Sequence, residues 1–317
     1  MESNPKELKN CRQAYGGALL ELGIANKNVV VLEADLGKST MSEMFRESHP
    51  DRYFQVGIAE QNMASMAAGF ALAGKTAFIN SFAVFATGRA YDQIRSAVCI
   101  PGLDVKICGS SAGLSDFGDG KTHQSIDDIA LMRVLPHMTV LSPVDAVETA
   151  QMVKAMCCEE NKGPCYIRIN RNDLPVYTNP DEEYRIGRMK QVRDGGDVVV
   201  FAAGVMVSQA LKAAENLEKE SISVRVVNVS TIKPLDVKAL KGYCAGVKGV
   251  VTSEEHSVYG GLGSAICEAL STERLPVVIH GINDSFGCSA ENYGVLLEKY
   301  DLTPEGVAAK VKKVLSA

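Results

Sequence analysis

The sequence predicts an α/β protein built from two three-layer domains with mostly parallel sheets. Apolar, β-branched runs alternate with longer helical patterns from end to end, the signature of strands joined by crossover helices. A polar stretch rich in Pro, Asn and Gly separates two such series. The length of 317 residues corresponds to about two domains at ~150 residues each.

In the first series the predicted strands are Val29 to Glu33, Thr76 to Asn80, Val105 to Gly109, Thr139 to Ser142 and Cys165 to Ile169. Each is a short run rich in apolar and β-branched residues. Between the first two, Met63, Ala67, Phe70 and Ala71 recur at helical spacing. Ala64, Ala68, Gly69 and Ala73 add small side chains that let another helix approach closely. A buried helix is expected there. From Asn172 to Gly196 the periodicity lapses into Pro175, Thr178, Asn179, Pro180, three acids and the pair Gly195-Gly196, which reads as a linker. The expected division is therefore a domain over 1–174, a linker over 175–196 and a second domain over 197–317. Strands of the second series are Val198 to Ala202, Val224 to Val229, Gly249 to Ser253 and Val277 to His280. The last helix opens on Thr303-Pro304-Glu305, an N-cap followed by proline in the first turn.

Composition removes several function classes. With 46% hydrophobic and 22% charged residues the chain has the balance of a globular protein. The net charge is −5 and no basic block occurs, which argues against a nucleic-acid partner. Met1 to Lys6 is polar and lacks the apolar core of a signal peptide. The most apolar stretch, Met63 to Gly74, is too short for a membrane span. A cytoplasmic location and no membrane association are expected. The nine cysteines contain no C-x-x-C pair and read as reduced thiols. The five histidines have no metal-ligand spacing.

Chemistry concentrates in the first series. In Arg52-Tyr53-Phe54-Gln55-Val56-Gly57-Ile58-Ala59-Glu60-Gln61-Asn62-Met63 one carboxylate stands where a short strand turns into the small-residue helix. With so little polar company its charged form is disfavoured, so it could hold or share a proton; a helix-start Glu favoured by the macrodipole is the plainer alternative. Ser81-Phe82-Ala83-Val84-Phe85 follows a strand, and Phe82 and Phe85 could be core residues or a stacking surface. Asp119-Gly120-Lys121-Thr122-His123-Gln124 lies in a long polar loop, and long loops in compact domains are usually functional.

Together these segments resemble the transketolase family. The Glu60 segment is similar to the family's cofactor-activating motif, in which the Glu hydrogen-bonds the aminopyrimidine of thiamine diphosphate. Phe82 and Phe85 match the aromatics that pack on that ring, although Gly88, followed by Arg89, stands where a third aromatic is common. Asp35 falls among the cofactor-binding positions. The loop resembles the D-G-x-T-H-Q loop of transketolases and 1-deoxyxylulose-5-phosphate synthases. The resemblance makes His123 a proton donor or hydrogen-bond partner at the reacting carbonyl, and Asp119 a ligand of a sugar hydroxyl. Arg12, Ser39 and Arg171 match positions that hold the substrate phosphate, a task suited to the planar fork of arginine. Ser111 replaces a second phosphate-binding His, twelve residues before His123.

Family members also carry a G-D-G motif with a following Asn pair, which binds Mg²⁺ and the diphosphate. Here Gly118-Asp119-Gly120 lies inside the T-H-Q loop and no Asn pair follows it. The resemblance therefore implies the C-terminal-half (beta) subunit of a split transketolase, a glycolaldehyde transferase acting on sugar phosphates. It implies a partner N-terminal-half (alpha) subunit that ligates Mg²⁺, and self-association into the homodimer core of a heterotetramer. Alternatives are the beta subunit of a 2-oxoacid dehydrogenase, which needs no phosphate clamp, a 1-deoxyxylulose-5-phosphate synthase-like enzyme, and a non-catalytic assembly subunit. Gly260-Gly261-Leu262-Gly263 lacks the full pattern of a dinucleotide site.

Overall fold

The computed structural model describes residues 7–317, so that the polar lead-in Met1 to Lys6 lies outside the described residues. Fourteen strands are described. They are β1 Leu8–Asn10, β2 Val29–Glu33, β3 Tyr53–Gln55, β4 Thr76–Phe82, β5 Val105–Ser110, β6 Thr139–Leu141 and β7 Cys165–Arg168 in the first half. The rest are β8 Asp173–Pro175, β9 Lys190–Arg193, β10 Val198–Ala202, β11 Val224–Asn228, β12 Thr231–Lys233, β13 Gly249–Ser257 and β14 Val277–Ile282.

Two mostly parallel sheets result, as the alternating pattern predicts. The first has the order β12-β6-β7-β5-β4-β2-β3 and the second β14-β13-β10-β11-β9. The strand interiors are buried on both faces, which is why they read as continuous apolar runs. Their residues nevertheless sort by parity. Val198, Val200 and Ala202 enter one apolar core, and Val199 and Phe201 enter the other, because successive side chains point to opposite faces. Each core contains residues from both halves of the chain, Leu19 with Leu217 in one and Ile79 with Leu240 in the other.

Two pairings were not visible in the sequence. Lys190–Arg193, inside the stretch read as a linker, forms β9 and pairs antiparallel with β11. Thr231–Lys233 crosses from the second series to pair antiparallel with β6, covering what would be an open edge of the first sheet. A third short pairing, β1 with β8, is antiparallel in the register Leu8↔Pro175 to Asn10↔Asp173.

The small-residue helix spans Glu60–Leu72. Only one face is buried, through Met63, Ala64, Ala67 and Ala68, while Gln61, Asn62, Ser65 and Gly69 are exposed and Leu72 is 74% exposed. The expectation of a buried helix is corrected to a half-covered one. The last helix, Pro304–Leu315, starts as predicted, with the Thr303 side chain accepting from the Gly306 N–H.

Candidate active site

The parallel strands of the first sheet all end on one side, and the loops that leave those ends carry the candidate residues. Asp35 and Ser39 follow β2, Glu60 follows β3, Phe82 closes β4, Ser111 to His123 follow β5, and Arg171 follows β7.

After β2 the chain turns sharply, with Asp35 at a positive φ of 65°. The turn is held by Glu33, whose buried carboxylate accepts from the N–H groups of Ala34 and Leu36 and from the Thr40 and Ser42 hydroxyls. Burial outweighs these bonds and pushes the Glu33 carboxyl up to about 7. Gln55, exposed at the end of β3, joins this turn to the next, because its Oε1 accepts from the Asp35 N–H at 2.9 Å and from the Gly57 N–H at 3.0 Å. Asp35 itself is exposed.

Glu60 is 1% exposed at the first position of its helix. It is not short of polar company, which corrects the expectation from sequence. Arg89 donates from Nη1 to Glu60 Oε1 at 2.8 Å and Oε2 at 3.0 Å. The same guanidinium lies over the Phe85 ring, 4.5 Å from its centroid. Arg89 ends a wide, π-type helical segment over Val84–Arg89, an irregularity often found at functional sites. The sequence signal was Arg89 itself, beside the missing third aromatic.

Phe82 and Phe85 stack with centroids 6.3 Å apart and planes 15° from parallel. His123, half-buried, presents its ring edge-on to both, at 5.3 Å from Phe85 and 6.2 Å from Phe82. Its Nδ1 lies 3.0 Å from the Thr122 hydroxyl. On the other side, the Arg171 guanidinium is 5.8 Å from the Phe82 centroid and donates to Asp116 Oδ2 at 2.6 Å. Glu60, Arg89, Phe85, Phe82, His123 and Arg171 thus form one continuous chain of contacts around the aromatic pair.

Arg12 and Arg171, remote in sequence, are brought together by the β1–β8 pairing. Asn10 caps the helix Cys11–Ala25 through the Arg12 and Gln13 N–H groups, and its Nδ2 donates to the Arg171 carbonyl at 3.3 Å. Arg12 donates to the Ser39 carbonyl at 2.9 Å, so Ser39 sits beside it. Burial first, and then the positive charge of Arg171, push the Arg12 guanidinium down. Its Nε is buried without a hydrogen-bond partner. Two cations held this close, one with an idle donor, suit an anion that would satisfy both.

The loop after β5 is tied to the second half of the chain. Gln124 Nε2 donates to the Asp116 carbonyl at 3.1 Å and the Cys288 carbonyl at 3.0 Å. Glu255 accepts from the Leu114 N–H at 2.8 Å. Asp119 is exposed at the tip. Ser111 is buried at a φ of 54°. The hydroxyls of Ser81, Ser110 and Ser111, all at the ends of β4 and β5, are buried without partners. Sequence reading missed Arg89, Asp116, Gln55 and Glu33, each an ordinary polar residue whose role depends on what folds against it.

Among the described residues no group of three or more His, Cys, Asp or Glu is placed to hold a metal ion, and no helix is long and apolar enough to cross a membrane.

Residues 8–176 match the family model described as the transketolase pyrimidine binding domain, and residues 187–307 match the transketolase C-terminal domain. A transketolase C-terminal section of Methanocaldococcus jannaschii is 41% identical, over 96% of this chain and 95% of that protein. A 6-deoxy-6-sulfo-D-fructose transketolase subunit of Clostridium sp. is 38% identical, over 96% of this chain and 94% of that one. Human transketolase is 40% identical over 85% of this chain, but the match spans only 43% of its own length. Among solved structures, a split gene transketolase in an inactive beta4 tetramer superposes with a TM-score of 0.88 at 46% identity, covering 96% of this chain and 98% of that chain. With both domain models matched in order and relatives similar over almost the whole chain, the protein belongs to the transketolase family, and it carries that family's pyrimidine-binding and C-terminal domains.

Proposed function

We propose that this chain is the pyrimidine-binding subunit of a thiamine-diphosphate-dependent transketolase, which transfers a two-carbon ketol unit between sugar phosphates. The observation that carries the reading is the meeting of Glu60, Phe82, Phe85 and His123 at the strand ends, beside the Arg12 and Arg171 pair. The site fits such a cofactor: a buried carboxylate beside a flat aromatic surface, with unpartnered serine hydroxyls nearby. When bound, the cofactor supplies the carbanion chemistry.

The remaining work falls to this chain's own side chains. Glu60 shares a proton with the edge of the aminopyrimidine ring. Phe82 and Phe85 fix the ring plane, where offset stacking is worth about 0.5–1.5 kcal/mol beyond burial. His123 exchanges a proton or hydrogen bond with the oxygen of the reacting carbonyl. Asp119 meets a sugar hydroxyl, and Asp35 and Ser39 lie in the turn after β2, which Gln55 ties to the segment leading to Glu60 and which Arg12 contacts at Ser39. Arg12 and Arg171 hold the terminal anion of the substrate. That anion is a phosphate in the first reading. A sulfonate is the second, favoured by Ser111 in place of a His and by the name of the Clostridium relative.

A partner chain supplies Mg²⁺ and the grip on the diphosphate. This is supported by the half-length match to human transketolase and by the open rim beside Glu60, where Ile58 is 75% exposed. The domains divide within 175–196. Mixing the purified chain with a subunit carrying the G-D-G motif, thiamine diphosphate and Mg²⁺ tests the proposal. Ketol transfer is expected from the mixture and none from either chain alone; turnover by this chain alone would show that no partner is needed.

A further inference from the structure

We infer that Arg89 is a built-in plug of the free chain: its guanidinium takes the place on Glu60 and Phe85 that the cofactor's aminopyrimidine must take, and it has to swing out before the ring is held. The inference rests on the proposed thiamine site, and the observations that carry it are geometric. A guanidinium is flat, and this one makes two contacts at once, edge-on to the Glu60 carboxylate at 2.8 and 3.0 Å and face-on to Phe85 at 4.5 Å. A flat heterocycle that hydrogen-bonds Glu60 and packs against the same aromatic pair needs both contacts. Glu60 is 1% exposed, so it has no second open side from which to receive a ring while Arg89 remains.

Proton chemistry leads to the same conclusion. A guanidinium has five donors and no acceptor and keeps its charge. A carboxylate bonded to it only accepts. The ring nitrogen of an aminopyrimidine also accepts, so the two can join only through a proton shared between them. With Arg89 in place, both Glu60 oxygens are already taken by a donor that the ring would have to displace.

Of the two partners, Arg89 is the one free to move. Its side chain is 46% exposed where that of Glu60 is 1%. It follows Gly88, which opens onto empty space, and it ends the wide helical segment. A half-exposed ion pair is worth little by itself, whereas a buried carboxylate left unpaired is costly. Departure of Arg89 is therefore favourable only when another group takes over Glu60, so release is coupled to occupancy of the site.

The test is calorimetric titration of the full-length chain with 4-amino-5-hydroxymethyl-2-methylpyrimidine. Wild type is compared with Arg89→Ala and Arg89→Gln, the second keeping a neutral donor should the first fail to fold. If the open site is the minor population, removing the plug should tighten binding by about tenfold or more. Adding Glu60→Ala to Arg89→Gln should abolish the gain. Glu60-dependent binding of equal strength in wild type and both Arg89 variants would overturn the plug and leave the thiamine reading standing. Absence of binding in every variant would overturn it as well; titration of thiamine diphosphate into the assembled complex then shows whether the thiamine reading falls with it.

Discussion

At Glu60 the fold spends a buried position on a carboxylate and then covers it with an arginine. If that carboxyl carries the activating proton, Glu60→Gln in the assembled complex should keep the shape of the site and lose the proton. A fall in kcat of about 10²- to 10⁴-fold is expected, the usual worth of a positioned acid or base. Cofactor affinity should change much less. Hydrogen-deuterium exchange at the cofactor C2 position, compared at equal occupancy, reads this directly, and unchanged exchange would leave Glu60 only a helix-start residue. Arg171 makes a different prediction. Its charge-assisted contact should contribute mainly binding, so Arg171→Ala should raise KM for sugars with a terminal anion by one to two orders of magnitude, with kcat nearly kept. An equal effect on neutral sugars would remove Arg171 from the anion site.

At the scale of elements, Asn10 joins a helix cap to the segment of Arg171. It caps the helix Cys11–Ala25 through the Arg12 and Gln13 N–H groups, and its amide also holds the Arg171 carbonyl and Asp173 Oδ1. Asn10→Ala should cost about 1 kcal/mol, the common worth of an N-cap, measured by urea denaturation. It should also raise KM in the same direction as Arg171→Ala, because the β1–β8 pairing that brings the two arginines together is loosened. A loss of stability with KM unchanged would confine Asn10 to the cap. The glycine turn of the second domain shows the opposite outcome. Glu254 accepts from the N–H groups of Leu262 at 2.7 Å and Gly263 at 2.8 Å. The protein's own carboxylate thus occupies the helix start where a phosphate could otherwise sit.

Across the whole molecule, the two halves share both cores and a buried ionic network. Arg168 pairs with Asp128 at 2.8 Å and donates to the Glu255 carbonyl at 2.7 Å, and Tyr166 donates to Asp128. A single cooperative unfolding transition is expected rather than two. Three buried carboxyls, Glu33, Glu148 and Glu255, are each pushed up to about 7, chiefly by burial. The native state therefore binds more protons than the unfolded chain between about pH 4.5 and 7, and the stability these groups contribute is lost as pH rises through that window. Glu148→Gln keeps the shape of its site and removes one titrating group, so the decline in Tm across that window should be shallower than in wild type. Parallel Tm profiles would mean that Glu148 is ionised in the native state throughout.

The alternation of β-branched runs and helical patterns determined the architecture, since burial on both faces of a parallel strand demands continuous apolar residues. The strands Val29 to Glu33 and Val198 to Ala202 were readable to the residue for that reason. The segments carrying Glu60, Phe82, Phe85 and His123 were legible as motifs because each is local in sequence. Tertiary structure alone decided that Arg89 closes on Glu60, that the Nε of Arg12 is buried without a partner, and that Lys190–Arg193 and Thr231–Lys233 extend sheets rather than connect them. Such pairings join residues far apart in the chain or add edge strands too short and polar to show a period. A residue's chemistry is written in the sequence, but the charge it faces is set by which other segment folds against it.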